Sequence, residues 1–550
     1  MNLDWLRKEV IGGNTYIDTP YGKRLSTYGD YTASGRSLIF IEEYMMKIGE
    51  TYANTHTEDG FLGKQTTRLY HQAKNRIREI LKATDEYAVL TVGAGTTGAI
   101  QRLSQILGIY EAPATRVKYD KNSKYYNPNR PIVFVGPYEH HSNELIWKEG
   151  NAEVVEIGLT DDGKFSLEDL ERQVSDSKYS GRIKIGAFSA ASNVTGIQSP
   201  VEEITKIVHD NDGLVFFDFA ASGPYVKIEM VKENGCYYDG IYLSPHKFIG
   251  GPGSAGLLIF RKELYNKNVG PTCAGGGTVE YVSSTNYDFI EDIETREDAG
   301  TPAILQTIRT AIVLELKENL GYKLIESIEE KYIHNALSRL TKDERIEIIG
   351  PLDKQNRLSI LSFNIRYKEH YLHPRYVTTL LNDLFGIQSR AGCSCAGPYG
   401  HLLLGIDHSK SDRYREIIKA GCEAMKPGWV RVNFHYSLDD FAYEYLINAI
   451  IFIADYGYLF LQDYEVDCLT GNWNHVESEA VELENFEFDI IEKASGFKPN
   501  RYNAEETEAR YLEYMEEALK LKEHHQVSES TYELYGIEAM EDLAWFYVKK

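Results

Sequence analysis

Residues 239–260 read "DGIYLSPHKFIGGPGSAGLLIF". A short apolar run ends at Ser-Pro-His-Lys, a glycine-rich turn follows, and a second apolar run begins. A lysine there must be paired or neutralised, because burying an ammonium costs several kcal/mol. Five similar runs lie upstream: "YAVLTVG" (87–93), "PIVFVG" (131–136), "AEVVEIG" (152–158), "RIKIGAFSA" (182–190) and "GLVFFDFA" (213–220). With the two runs of the opening stretch they make seven strand candidates.

Helix-type segments separate several of these runs. "SLEDLERQV" starts with Ser166 and places Asp169 three residues on, a capping-box spacing. "SPVEEITKIVHDNDG" has Ser199 as N-cap, Pro200 at the first helical position and Gly213 past the end. Strands alternating with helices indicate a largely parallel sheet covered on both faces, an α/β architecture. Functional residues in such sheets gather at the carboxyl ends of the strands. From about residue 301 long helices and a few strands suggest a second, smaller α+β domain. Beyond about 470 the chain is acidic and helical, carrying roughly half of the net negative charge. The expected organisation is an N-terminal segment (1–30) packed on the small domain, a large domain (31–300), the small domain (301–465) and a C-terminal extension (466–550).

The chain has 550 residues, a net charge of −23 and six scattered cysteines. The charge argues against nucleic acid or an anionic membrane as a partner. No secretory h-region is seen, and no apolar stretch of about 20 residues, so a cytoplasmic location with reduced thiols is expected.

"VGAGTTGAIQRL" (92–103) matches G-x-G-x-x-G between a strand and a helix. Dinucleotide binding would also require an acidic residue ending a second strand about 20 residues on. Thr96 and Thr97 at a helix start suit a single phosphate better. Asp218 ends a strongly apolar strand, where a carboxylate answers a cation, a metal or a protonated ring nitrogen. Lys247 fits a phosphate binder, a general base or a Schiff-base lysine.

Taken together, and in order, these motifs resemble the fold-type I pyridoxal-phosphate enzymes, specifically the class-V aminotransferase family with its cysteine desulfurases and selenocysteine lyases. The resemblance spans roughly residues 25–450. It implies pyridoxal 5'-phosphate as cofactor, with "GTT" (95–97) as the phosphate turn and Lys247 joined to the cofactor as an aldimine. His140 of "YEHHSN" would stack on the ring, Asn193 of "SNVTG" would lie near cofactor and substrate, and Asp218 would pair with the pyridine nitrogen. Ser244 and His246 would contact the phosphate. Thr301 of "EDAGTP" would reach the phosphate of a second subunit, which implies a homodimer with a shared site.

"IQSRAGCSCAGPYG" (387–400) is similar to the R-x-G-x-x-C loop of group II desulfurases through Arg390 and Cys395. "WVRVNFHYSLDD" matches the segment whose arginine, here Arg431, clamps a substrate carboxylate. The implied reaction takes sulfur from L-cysteine onto Cys395 as a persulfide and releases L-alanine, with a sulfur-acceptor protein as a further partner. Cys393 and Cys395, with His401 and His408, have weak zinc spacing, so no metal is assigned. Ala221 stands where the family commonly has glutamine. Class-V aminotransferases, epimerases and other lyases share the core motifs, and a non-catalytic scaffold with the tail as docking surface is a further alternative.

Overall fold

A computed structural model describes residues 2–55, 57, 59–114, 129–477, 500–525, 531–536 and 541–550. The chain divides into two compact units. The larger comprises Ala33–Asn193 and Ile197–Glu326, and the smaller Met1–Thr32, Val194–Gly196 and Ser327–Lys550. The boundary therefore falls at 326/327 rather than at 300, and the C-terminal extension belongs to the smaller unit.

All seven apolar runs are strands of one sheet: β1 (Tyr87–Thr91), β2 (Ile132–Val135), β3 (Glu153–Glu156), β4 (Lys184–Ser189), β5 (Leu214–Asp218), β6 (Gly240–Leu243) and β7 (Leu257–Arg261). Their spatial order is β1-β7-β6-β5-β4-β2-β3. Every pairing is parallel except those of β7, which runs antiparallel to both β1 and β6. The near-continuous apolar runs follow from this arrangement, since β2 and β6 are buried at every position. Asp218 at the end of β5 and Ser244 just after β6 share one edge of the sheet.

Helix Leu167–Val174 is capped by Ser166, whose side chain accepts the Asp169 N–H. The reciprocal half of the box is absent. Asp169 instead accepts the Gly158 N–H at 2.8 Å, which ties the helix back to the preceding strand. Helix Val201–Asp210 starts one residue later than its sequence suggests, with Pro200 as N-cap, because the Ser199 hydroxyl donates to the Ser189 carbonyl.

The smaller unit is built on an antiparallel five-stranded sheet that includes Ile360–Tyr367, Arg390–Gly392 and Trp429–Asn433. Helices Pro374–Phe385 and Asp440–Tyr456 supply much of its core. The segment Asp440–Asp463 is long and apolar enough to cross a membrane by length and composition, contrary to the sequence reading, with mean hydropathy 1.3. Its buried residues line the core of the smaller unit, from Ala442 to Ala454. The extension contributes helix Ala504–His524, whose Tyr511, Tyr514 and Ala518 join the same core.

Not all thiols are free: Cys422 and Cys468 form a disulfide across 46 residues. Cys236, Cys273, Cys393 and Cys395 are free. The bond joins two segments of the smaller unit on either side of helix Asp440–Tyr456, and nothing in the cysteine spacing signals it. Thiol titration of the unreduced, unfolded chain should count four reactive groups, rising to six after reduction. Closing a loop of this length stabilises by about 4 kcal/mol in the chain-entropy account, so Cys468→Ser should lower stability by that order in chemical denaturation.

Candidate active site

In the larger unit the strand-to-helix turn after β1 delivers Gly95, Thr96 and Thr97 to the sheet edge. Helix Thr96–Ile106 has no side-chain cap and no acidic residue in its first turn. The Thr96 N–H donates to Ser244 Oγ at 3.0 Å. A Cβ at position 95 would meet Ser244 Oγ at 2.9 Å, so a side chain there would push that hydroxyl out of its place beside the helix start. Uncapped helix amides, a serine and a histidine around a bare backbone fit a phosphate group. The His246 imidazole is pulled down to about 4 by burial and by the nearby Lys247 ammonium.

Asp218 is 4% exposed, and its Oδ1 accepts the Ala220 N–H at 2.8 Å. Burial pushes its carboxyl up to about 6, against the pull of that hydrogen bond, of the Lys247 charge and of the Thr96 hydroxyl. A buried carboxylate held in this state suits a cationic partner such as a protonated ring nitrogen. Lys247, on the short turn Pro245–Lys247, is half-buried. These donors fit pyridoxal phosphate: a phosphate cradle, an anionic ring partner and an amine lie along one sheet edge.

His140 caps the short turn His141–Asn143 through Nδ1, which accepts the Ser142 N–H. Ser142 also bonds Thr97 through their hydroxyls at 2.7 Å, linking this turn to the phosphate turn. Asn193 is buried at 8% exposure. Thr301 is exposed and takes a hydrogen bond from Asn54 Nδ2 at 3.1 Å.

Two residues of this unit escaped the sequence reading. Glu139, adjacent to His140, is 5% exposed and accepts from the Ser189 N–H and hydroxyl, from Asn143 and from the Gly136 N–H. It ties the end of β4 to the turn carrying His140, and burial pushes it up to about 7. Lys317, 6% exposed, donates to the carbonyls of Gly223 and Val226, and burial pulls it down to about 8. It thereby fixes the loop after Asp218 in which Ala221 stands. Ala221 supplies no donor, and the buried Ser222 hydroxyl has no hydrogen-bond partner among the described residues.

The smaller unit gathers the remaining predicted residues. Arg390 and Arg431 face each other directly across neighbouring antiparallel strands. Asp30, which the sequence did not single out, meets both: it accepts from Arg431 Nη2 at 2.9 Å and forms an ion pair with Arg390 Nε at 3.0 Å. Arg431 is buried, and its guanidinium is lowered by desolvation against the pull of Asp30. Cys395 lies on the turn after Arg390–Gly392, is exposed, and has φ +58° after Ser394 at φ +51°. Two successive non-glycine residues in the left-handed region hold the thiol outward on a tight turn, closed by the Ala396 N–H to the Cys393 carbonyl at 3.0 Å.

The Asp218 carboxyl yields a pH prediction. Its folded value of about 6 exceeds its ordinary 3.8, so the folded chain keeps a proton that the unfolded chain has released. The ionised carboxylate therefore costs stability above that range, about 3 kcal/mol at neutral pH, and nothing once pH falls below the unfolded value. Cofactor-free Asp218→Asn should melt above wild type at neutral pH, with the gap closing on acidification.

The profile of the aminotransferase class-V family matches residues 39–409. A probable cysteine desulfurase of Halalkalibacterium halodurans is 30% identical over 406 residues, covering 73% of this chain and 91% of that protein. One of Staphylococcus aureus is 29% identical, covering 71% and 88%. Among solved structures, the apo cysteine desulfurase of Thermococcus onnurineus superposes with TM-score 0.65 at 24% identity, covering 82% of this chain and 98% of that one. An Escherichia coli cysteine desulfurase in an S-sulfonic acid form gives 0.61 at 20%, with the same coverage. A pyridoxal-phosphate fold, a cradle suited to that cofactor and a family match over most of the chain agree: this protein belongs to the class-V aminotransferase family.

Proposed function

We propose that the chain removes sulfur from L-cysteine, giving L-alanine, with Cys395 receiving the sulfur as a persulfide. The observation that carries this reading is the exposed Cys395 thiol, presented on a tight turn beside an arginine pair, in a chain that also keeps Lys247 and Asp218. Its curated relatives are named probable cysteine desulfurases.

Pyridoxal phosphate, when bound, supplies an electron sink for the substrate Cα. The chain's own groups do the rest. Arg431 holds the substrate carboxylate, with Arg390 beside it. Lys247 accepts the Cα proton at Nζ and returns a proton to carbon later. Asp218 keeps a proton on the ring nitrogen. The Cys395 thiolate attacks the substrate sulfur: a new S–S bond forms, the substrate C–S bond breaks, and its electron pair stays with the carbon that becomes the alanine methyl. The persulfide is then open to a sulfur-acceptor protein.

The active form is a homodimer in the cytoplasm. Exposed Tyr44, Met46, Phe61 and Leu62, and Tyr281 and Tyr287 on the hairpin Val279–Phe289, support the dimer. Ala221 favours one competing reading, a class-V aminotransferase, other lyase or epimerase on a different amino acid, because the usual donor beside the cofactor is missing.

Cys395→Ala should abolish release of alanine and sulfide from L-cysteine while leaving cofactor content unchanged. Wild type that ignores L-cysteine yet transfers amino groups to a keto acid would sink the desulfurase reading. Lys247→Ala should remove the visible absorbance of the lysine-bound cofactor, and an unchanged spectrum would rule out that lysine.

A further inference from the structure

Arg390 and Arg431 are direct cross-strand neighbours, a like-charge pair that destabilises a sheet unless something compensates it. Asp30 is that compensation, one carboxylate oxygen to each guanidinium. The need is greatest at Arg431, whose side chain is 4% exposed, against 50% for Arg390.

Asp30 is held by backbone, not by its own side chain alone. Thr27 N–H donates to the Gly386 carbonyl and Gly29 N–H to the Gln388 carbonyl, each at 2.9 Å. The Gly29 carbonyl accepts the Asn433 N–H at 2.8 Å. The residue preceding Asp30 is therefore bonded two residues before Arg390 and two residues after Arg431.

That segment leans in turn on helix Ala504–His524. Tyr514 Oη accepts the Leu25 N–H at 3.1 Å, and the Tyr511 and Thr27 hydroxyls lie 2.8 Å apart. Arg24 sits 4.7 Å over the Tyr514 ring and pairs with Glu517 at 3.0 Å. Tyr511 stacks on Tyr445 of helix Asp440–Tyr456, with ring centroids 3.9 Å apart and planes 4° from parallel. Asp30 and this helix both lie outside the residues matched to the family.

We propose that helix Ala504–His524 is a positioning element for amino-acid recognition: Tyr511 and Tyr514 fix the segment carrying Asp30, and Asp30 orients Arg431 and Arg390 toward a substrate carboxylate. This rests on the reading of Arg431 as the carboxylate clamp. A bidentate pairing needs the guanidinium plane fixed before the ligand arrives, and a carboxylate on a fixed backbone does that. The acidic extension is thereby tied to the site through a chain of named contacts.

The test uses the cofactor-loaded full chain, with calorimetric binding of L-alanine as the recognition readout and amide exchange across residues 24–30 as the structural one. Tyr511→Phe with Tyr514→Phe should speed exchange in that segment and weaken L-alanine binding about fivefold, with kcat on L-cysteine little changed. Asp30→Asn should weaken binding about tenfold or more while leaving exchange at Leu25 and Thr27 as in wild type. Tyrosine variants that melt earlier and exchange faster yet bind L-alanine as wild type does would overturn the proposal, leaving the helix a purely stabilising role. Unaltered binding in Asp30→Asn would overturn it as well. Binding is read apart from turnover, so a wild type that binds L-alanine but releases no sulfide from L-cysteine refutes the desulfurase reading while the Kd changes still decide this one.

Discussion

The buried carboxylate of Asp218 is the constraint around which the larger unit is arranged. A carboxylate 4% exposed at the end of a central strand is costly unless cations and donors are brought to it. The backbone after β5, the Thr96 hydroxyl and the Lys247 charge all bear on it. Each comes from a different strand-to-loop transition, so the sheet order that places β5 beside β6, with β7 and β1 beyond, is also what assembles the site. The donors and the lysine charge gathered there offset part of the cost of burying that carboxylate.

The smaller unit solves the opposite problem. Its excess is positive: two arginines face each other across a ladder, one of them deep in the protein. A single aspartate bridges them, leaving the trio with one net positive charge, the amount that a single carboxylate neutralises. Both units thus hold unfavourable charge in a fixed geometry, which is how preorganisation is stored before a ligand binds.

Much of this was legible in the chain because it is local. Seven apolar runs became seven strands, since parallel strands buried on both faces carry continuous apolar sequence. Ser166 capped its helix because N-capping depends on neighbouring residues alone. What stayed hidden depends on contacts distant in sequence. Asp30 lies about 400 residues from Arg431, in "GDYTASG", which has no spacing to betray it. Tyr511 and Tyr514 look like ordinary members of an acidic helix until the strands Gly22–Leu25 and Thr27–Tyr28 are laid beside them. The apolar helix at 440–456 escaped notice as a core element because scattered tyrosines and an asparagine interrupt its run. Glu139 was quoted beside His140 but not distinguished, because only the fold reveals how many donors converge on it.

The disulfide between Cys422 and Cys468 encloses more than its two ends. The closed loop contains the strand Trp429–Asn433 with Arg431 and the whole helix Asp440–Tyr456 on which Tyr511 stacks. A protease that nicks the backbone anywhere inside the loop leaves both fragments covalently joined. Arg431 and the helix beneath the extension are therefore retained in one molecule even after the chain between them is cut.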